Sequence, residues 1–314
     1  MKIAVMGTGG VGGYFGARLA ASGEQVHFIA RGAHLDAIRS QGLQVVSANG
    51  DVLIKPALAT SDASSIGPVD LVMIGVKLWS TEEALRDARP LIGPGTAVVS
   101  FQNGVIAAGL IAKAYGKEHA LGGVANIAAL IERPGVIRHN GTMAILTFGE
   151  LDRELTERVQ KLLDACVKAG IQARASEDIE KVIWEKYVML VAMSGMTALT
   201  RLPIGPIRED PDTRALLQQL MSEVVALGRA KDVQLDSGTA ERIAEHMGRL
   251  PREMVSSMLG DLERGNRLEL PWLSGGVVTM GREHGVPTPA NQFVATALKL
   301  YIDGRPADAR TPKS

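Results

Sequence analysis

The stretch Met1-Lys2-Ile3-Ala4-Val5-Met6-Gly7-Thr8-Gly9-Gly10-Val11-Gly12 decides the reading of this chain. Its first half is an apolar run of strand length after one lysine. Its second half matches G-x-G-x-x-G, with Gly7, Gly9 and Gly12 at the glycine positions. The pattern alone is weak evidence, because 35 residues of the chain are glycine. Its position gives it weight: it directly follows a predicted strand and opens a predicted helix from about Gly10 to Ser22. There Gly7 permits a tight turn, Gly9 lets backbone approach a pyrophosphate, and Gly12 lets helix and strand pack closely. A phosphate then meets the unpaired N–H groups of a helix N-terminus, in a cradle of Gly7, Thr8, Gly9, Gly10, Val11 and Gly12.

Working outward, Gln25–Ala30, Val69–Val76 and Thr96–Ser100 read as further buried strands, with helical character around Glu82–Leu91. Strands that alternate with helices predict a doubly wound parallel sheet of Rossmann type. Leu43–Val46 and Val52–Ile54 flank Asn49-Gly50 and read as a small hairpin. Gly135–Phe148 reads as late strands at the sheet edge, and Asp152–Ala169 as a helix. Beyond Glu177 the texture becomes helical, over 177–200, 212–231, 238–248, 251–264 and 271–285, with prolines between segments. The expected architecture is an α/β dinucleotide-binding domain over 1–174 and an all-α domain over 175–314.

The residue after the second strand bears on the cofactor. An NAD enzyme usually carries an acid there to bind ribose hydroxyls. Here Arg31 stands at that place, and a guanidinium can grip a 2′-phosphate bidentately, so NADPH is the expected cofactor. Lys77 and Asn103-Gly104 fall at the carboxyl ends of later strands, where open α/β sheets bind ligands, although such residues also serve as plain turn formers.

Composition narrows the alternatives. Basic and acidic residues number 34 each, so the chain offers no general field for nucleic acid or an acidic membrane. Cys166 is the single cysteine, and the six histidines lack ligand spacing, so no metal is expected and a reducing cytoplasm fits best. No uninterrupted apolar run approaches the roughly 20 residues of a membrane helix, and glycines interrupt the apolar N-terminus.

Taken in order, Gly7–Gly12, Arg31, Val76-Lys77-Leu78-Trp79, Gln102-Asn103-Gly104, Trp184-Glu185-Lys186, Ser256–Gly265 and Glu269 resemble the ketopantoate reductases, the 2-dehydropantoate 2-reductases of pantothenate and coenzyme A biosynthesis. The resemblance spans nearly the whole chain, and its C-terminal motifs are more specific than the glycine turn. It implies a small 2-oxo acid substrate and NADPH in a cleft between a Rossmann and a helical domain. Lys186, which alone reads as a surface lysine, becomes the implied proton donor, with Glu269 holding either the lysine or the ribose end of the cofactor. Ser257 would bind the substrate carboxylate, Lys77 and Asn103 would contact nicotinamide ribose and substrate, and Ala128 would line the cofactor with backbone. Helical second domains often pair, and the expected assembly is a homodimer.

The resemblance fails in one cluster. Substrate-binding asparagines expected one and two turns after the lysine are Leu190 and Ser194, on its helix face at i+4 and i+8. Met254 replaces another asparagine, and Leu270 and Ser274 replace polar residues after Glu269. Loss of such partners suits a more apolar 2-oxo acid, and a non-catalytic NADP(H)-binding sensor is a third reading. The sensor would have no need of Lys186.

Overall fold

A computed structural model describes residues 1–308 of the 314-residue chain. The chain divides into two compact units, Met1–Ile183 and Trp184–Ser314. The division falls inside a helix, whereas the sequence places it at 174/175, just before that helix begins.

The first unit is built on ten strands: β1 Lys2–Met6, β2 Gln25–Ile29, β3 Leu43–Val46, β4 Val52–Ile54, β5 Leu58–Thr60, β6 Leu71–Ile74, β7 Ala97–Ser100, β8 Ala120–Arg133, β9 Val136–Glu150 and β10 Gln172–Ala175. Between them lie α1 Gly10–Ala21, α2 Gly32–Gln41, α3 Thr81–Asp87, α4 Ala107–Tyr115 and α5 Glu157–Lys168. The strand order is β4-β3-β9-β8-β7-β6-β1-β2-β5, with β10 beside β9. Pairing is parallel except for β3–β4 and β8–β9.

Residues of β1 show why its apolar run needs both faces covered. Ile3 and Val5 join a core with Phe15 of α1, Leu35 and Ile38 of α2, and Val159 and Leu162 of α5. Ala4 and Met6 turn the other way, into a core with Ala84 and Leu85 of α3 and Ile111 of α4. Alternate side chains therefore enter different layers, which is the sheet with helices on both faces that the sequence predicts.

Two local expectations are corrected, and two short strands are added. The strands after Gly135 are not at an edge, because β9 pairs with both β8 and β3. Pro134-Gly135, with Gly135 at φ +80°, closes the β8–β9 hairpin and returns the chain into the sheet. The next helix starts at Glu157 rather than Asp152, because β9 runs to Glu150 and Thr156 supplies the cap, accepting from the Val159 N–H. The short strands β5 and β10 escape the sequence pattern: three or four residues show too little periodicity. The β3–β4 hairpin forms as expected, antiparallel.

The second unit is helical throughout its described residues. It contains most of α6 Ile179–Thr200, then α7 Ile204–Glu209, α8 Pro211–Ala230, α9 Thr239–Gly248, α10 Ser257–Arg264, α11 Ser274–His284 and α12 Pro289–Ala297. Helix α6 is long and apolar enough to cross a membrane by length and composition, and 61% of its most apolar window is buried. In α8, Glu223 is 7% exposed and accepts hydrogen bonds from Ala290 N–H (2.8 Å), Asn291 N–H (3.0 Å) and Asn291 Nδ2 (2.8 Å). A buried carboxylate thus satisfies the open amides at the start of α12.

Candidate active site

The carboxyl edge of the sheet gathers the glycine turn. Gly7 takes φ +95°, and a Cβ there would lie 2.7 Å from Val76 Cγ1. The Gly7 and Thr8 amides donate to Ile29 O at 3.2 and 3.1 Å, and Thr8 Oγ1 adds a third bond at 3.0 Å, so the turn is tied to the end of β2. A Cβ on Gly12 would overlap the Gly7 carbonyl oxygen, and one on Gly10 would overlap Ala129 O of β8. Gly9 differs: a Cβ there would meet nothing within 4 Å. No side chain caps α1. A helix N-terminus with uncapped amides and an unfilled approach at Gly9 fits a pyrophosphate.

One residue that the sequence did not single out fastens this turn. His34 of α2 contacts Thr8 O through Nε2 at 2.8 Å and accepts from the Gly135 N–H through Nδ1 at 3.0 Å. Because a backbone N–H points at Nδ1, the ring proton sits on Nε2 and the neutral form is required. Burial accordingly holds the His34 pKa below the usual 6.5. Gln102, 9% exposed, donates through Nε2 to Val76 O (2.9 Å) and Thr81 Oγ1 (2.8 Å), while Ser100 Oγ donates to its Oε1 at 3.0 Å. That network joins the segments following β6 and β7, which carry Lys77 and Asn103. Lys77 is exposed, with its ammonium 5.7 Å from the Trp79 ring centre, and Asn103 is half-buried. Ala128 is exposed on β8, at a register shift against β9 between Ile127 and Ala129.

Arg31 follows β2 as expected, but its surroundings differ from the sequence expectation. Its Nη1 donates to Glu83 at 2.8 Å and its Nη2 to Asp87 at 2.8 Å. No acid follows β2 in sequence, yet α3 delivers two carboxylates to the same guanidinium. They stand at i and i+4 of one helix and so share a face.

In the helical unit, α6 carries Lys186 and Leu190, both half-buried, and Ser194. Burial lowers the Lys186 ammonium from its ordinary 10.5 to about 8, an effect the Glu269 carboxylate partly opposes. Glu269 is 7% exposed. The fully buried Tyr187, next to Lys186, donates to Trp272 O and Leu273 O, each at 2.9 Å. One phenol therefore pins to α6 the segment that begins with Glu269.

Of the serine pair, Ser256 is structural: it caps α10 by accepting from the Leu259 N–H at 3.1 Å and bonds Thr197 Oγ1 at 2.7 Å. Ser257 is exposed, and Met254 is half-buried. Ser194 and Ser274 are each 0% exposed, with no hydrogen-bond partner for either hydroxyl among the described residues. Ser194 shares the Lys186 face by period, yet it is wholly enclosed, so Leu190 alone of the two altered positions keeps exposed surface. Among the described residues, no three His, Cys, Asp or Glu side chains cluster to hold a metal ion.

A dinucleotide turn on a sheet covered by helices, with a desolvated ammonium beside a buried carboxylate in a helical unit, defines a two-domain oxidoreductase. The family models for ketopantoate reductase PanE/ApbA and for its C-terminal region match residues 3–153 and 178–302. A 2-dehydropantoate 2-reductase of Mesorhizobium japonicum is 35% identical over 96% of this chain and 98% of its own. The crystal structure of 2-dehydropantoate 2-reductase from Geobacter metallireducens superposes with a TM-score of 0.88 at 31% identity, covering 95% of this chain and 99% of that one. A ternary structure of D-mandelate dehydrogenase with NADH and anilino(oxo)acetate shares the fold, with a TM-score of 0.87 at 24% identity over 96% and 98% of the two chains. The chain belongs to the ketopantoate reductase family.

Proposed function

We propose that the protein reduces a 2-oxo acid to the 2-hydroxy acid with NADPH, and that the acid is 2-dehydropantoate. The observation that carries this reading is Lys186, an ammonium brought to about 8 by burial in the presence of Glu269. Reduction of a carbonyl requires a proton for the developing alkoxide, and a donor near neutral pKa gives it up readily. Below pH 8 the charged amine also polarises the carbonyl oxygen before transfer. Glu269 favours the charged form of Lys186 and so keeps the donor loaded. Ser257, exposed at the start of α10, would accept the role of hydrogen-bonding the substrate carboxylate.

Gly7–Gly12 would hold the pyrophosphate on the amides of α1, Arg31 the 2′-phosphate, and Lys77, Asn103 and the backbone at Ala128 the nicotinamide end. When bound, the reduced nicotinamide supplies the hydride. The substrate assignment leans on the name of the Mesorhizobium relative.

One observation favours a second reading, a more apolar 2-oxo acid. Leu190 and Met254 keep partial exposure where amides would be expected, and Ser194 is enclosed. A hydroxyl-bearing substrate left without a partner there binds less well. Steady-state kinetics across a panel of 2-oxo acids, with NADPH and with NADH, tests both readings. The first expects the highest kcat/KM for 2-dehydropantoate with NADPH. Higher values for acids lacking the hydroxyl would transfer the assignment to the second, and equal use of NADH would remove the cofactor choice. No turnover with any 2-oxo acid would end both.

A further inference from the structure

Arg31 sits beside the glycine turn, two residues beyond Ile29, whose carbonyl anchors Gly7 and Thr8. Its two Nη groups, the edge that would fork onto a phosphate, are both engaged, one by Glu83 and one by Asp87. One cation faced by two anions leaves the group with a net negative charge. A nucleotide 2′-phosphate arriving here meets repulsion and an occupied fork, whereas a 2′-hydroxyl meets carboxylates able to accept its proton. All three side chains are about half exposed: 62% for Arg31, 47% for Glu83 and 46% for Asp87. Such pairs are weak and rearrange easily, so they act as a resistance that a ligand can displace rather than a block.

We propose that Glu83 and Asp87 form an acidic counter-clamp on Arg31 that limits how strongly the protein prefers nucleotides bearing a 2′-phosphate over those bearing a 2′-hydroxyl. This rests on reading Arg31 as the contact for the 2′-phosphate. The pair makes α3 a determinant of specificity, although neither acid lies near β2 in sequence.

Calorimetric titration of the full chain with adenosine 2′,5′-bisphosphate and with adenosine 5′-phosphate isolates the 2′-phosphate, independently of turnover. In the double variant Glu83→Gln/Asp87→Asn, the ratio of the two affinities should rise about fivefold or more in favour of the bisphosphate. Glu82→Gln removes one carboxylate charge from the neighbouring position on α3 and should change the ratio by much less than half as much. An unmoved ratio in the double variant, or an equal effect of Glu82→Gln, overturns the counter-clamp. If Arg31→Ala still weakens the bisphosphate selectively in that case, the reading of Arg31 survives. If Arg31→Ala leaves the preference for the bisphosphate intact, both fall together.

Discussion

The glycine turn of the first unit and the Lys186 helix of the second would serve the proposed reaction by opposite means. The turn is made of backbone: its function depends on a positive φ at Gly7, open space at Gly9 and contact at Gly12. The helix is made of side chains, and its chemistry depends on how far burial moves one amine. Backbone geometry tolerates no added atom where it is close, but it is insensitive to pH. A desolvated amine tolerates many neighbours, but its state follows the proton concentration. Substitution should therefore affect the first region through sterics and the second through titration.

The largest effect is expected where titration governs. Lys186→Ala should lower kcat by roughly a hundredfold or more while leaving the dissociation constant for NADPH nearly unchanged. On the proposed mechanism the donor is the charged amine, so kcat should fall as pH rises through about 8. Retained turnover in the variant, or a kcat flat from pH 7 to 9 with chemistry limiting, would erase the contrast with the glycine turn.

A smaller effect should split the backbone region from within. Gly12→Ala forces a Cβ onto Gly7 O and within 2.8 Å of Val5 Cγ1, and it should cost about 1–3 kcal/mol of stability by denaturant titration. Gly9→Ala adds the same methyl to open space, so its Tm should stay near that of the parent while nucleotide affinity drops about tenfold. Equal loss of stability in both would mean that Gly9 is confined after all.

The smallest effect brings the proton into the backbone region. The folded pKa of His34 lies below 6.5, so the unfolded chain binds the proton more readily. Its stabilising contribution is complete above 6.5 and is lost as pH falls through the window beneath that value. His27, also lowered by burial, acts in the same direction. His34→Gln should flatten the fall in unfolding free energy from urea titration between pH 7 and 5.5, by about 1 kcal/mol at most. Parallel curves for parent and variant would show that His34 does not couple the turn to pH.

What could be read from the chain follows the same division. Gly7, Gly9 and Gly12 act within six residues, so the strand–turn–helix reading needed no distant contact. The doubly wound sheet was legible because β1, β6 and β7 are largely apolar on both faces. The acids on Arg31 lie 52 and 56 residues away, and the His34 contact with Gly135 spans 101, so neither could be seen in local pattern. Helix period placed Ser194 on the Lys186 face but carries no information on its enclosure. Lys186 itself stood out only through resemblance, since its lowered pKa arises from packing rather than from its neighbours in the chain.

The carboxylate of Glu223 has one further consequence, for where this polypeptide can be shortened. Its donors at Ala290 and Asn291 lie 67 and 68 residues onward, on the last α-helix of the second unit. A chain ended before residue 290 would keep every residue named in the site, from Gly7 to Glu269. It would also leave an anion inside the helical unit stripped of those amides, a strongly destabilising state. The shortest stable polypeptide therefore extends past the last residue of the proposed site, because the helix that completes it supplies only backbone N–H groups, one asparagine amide and cover.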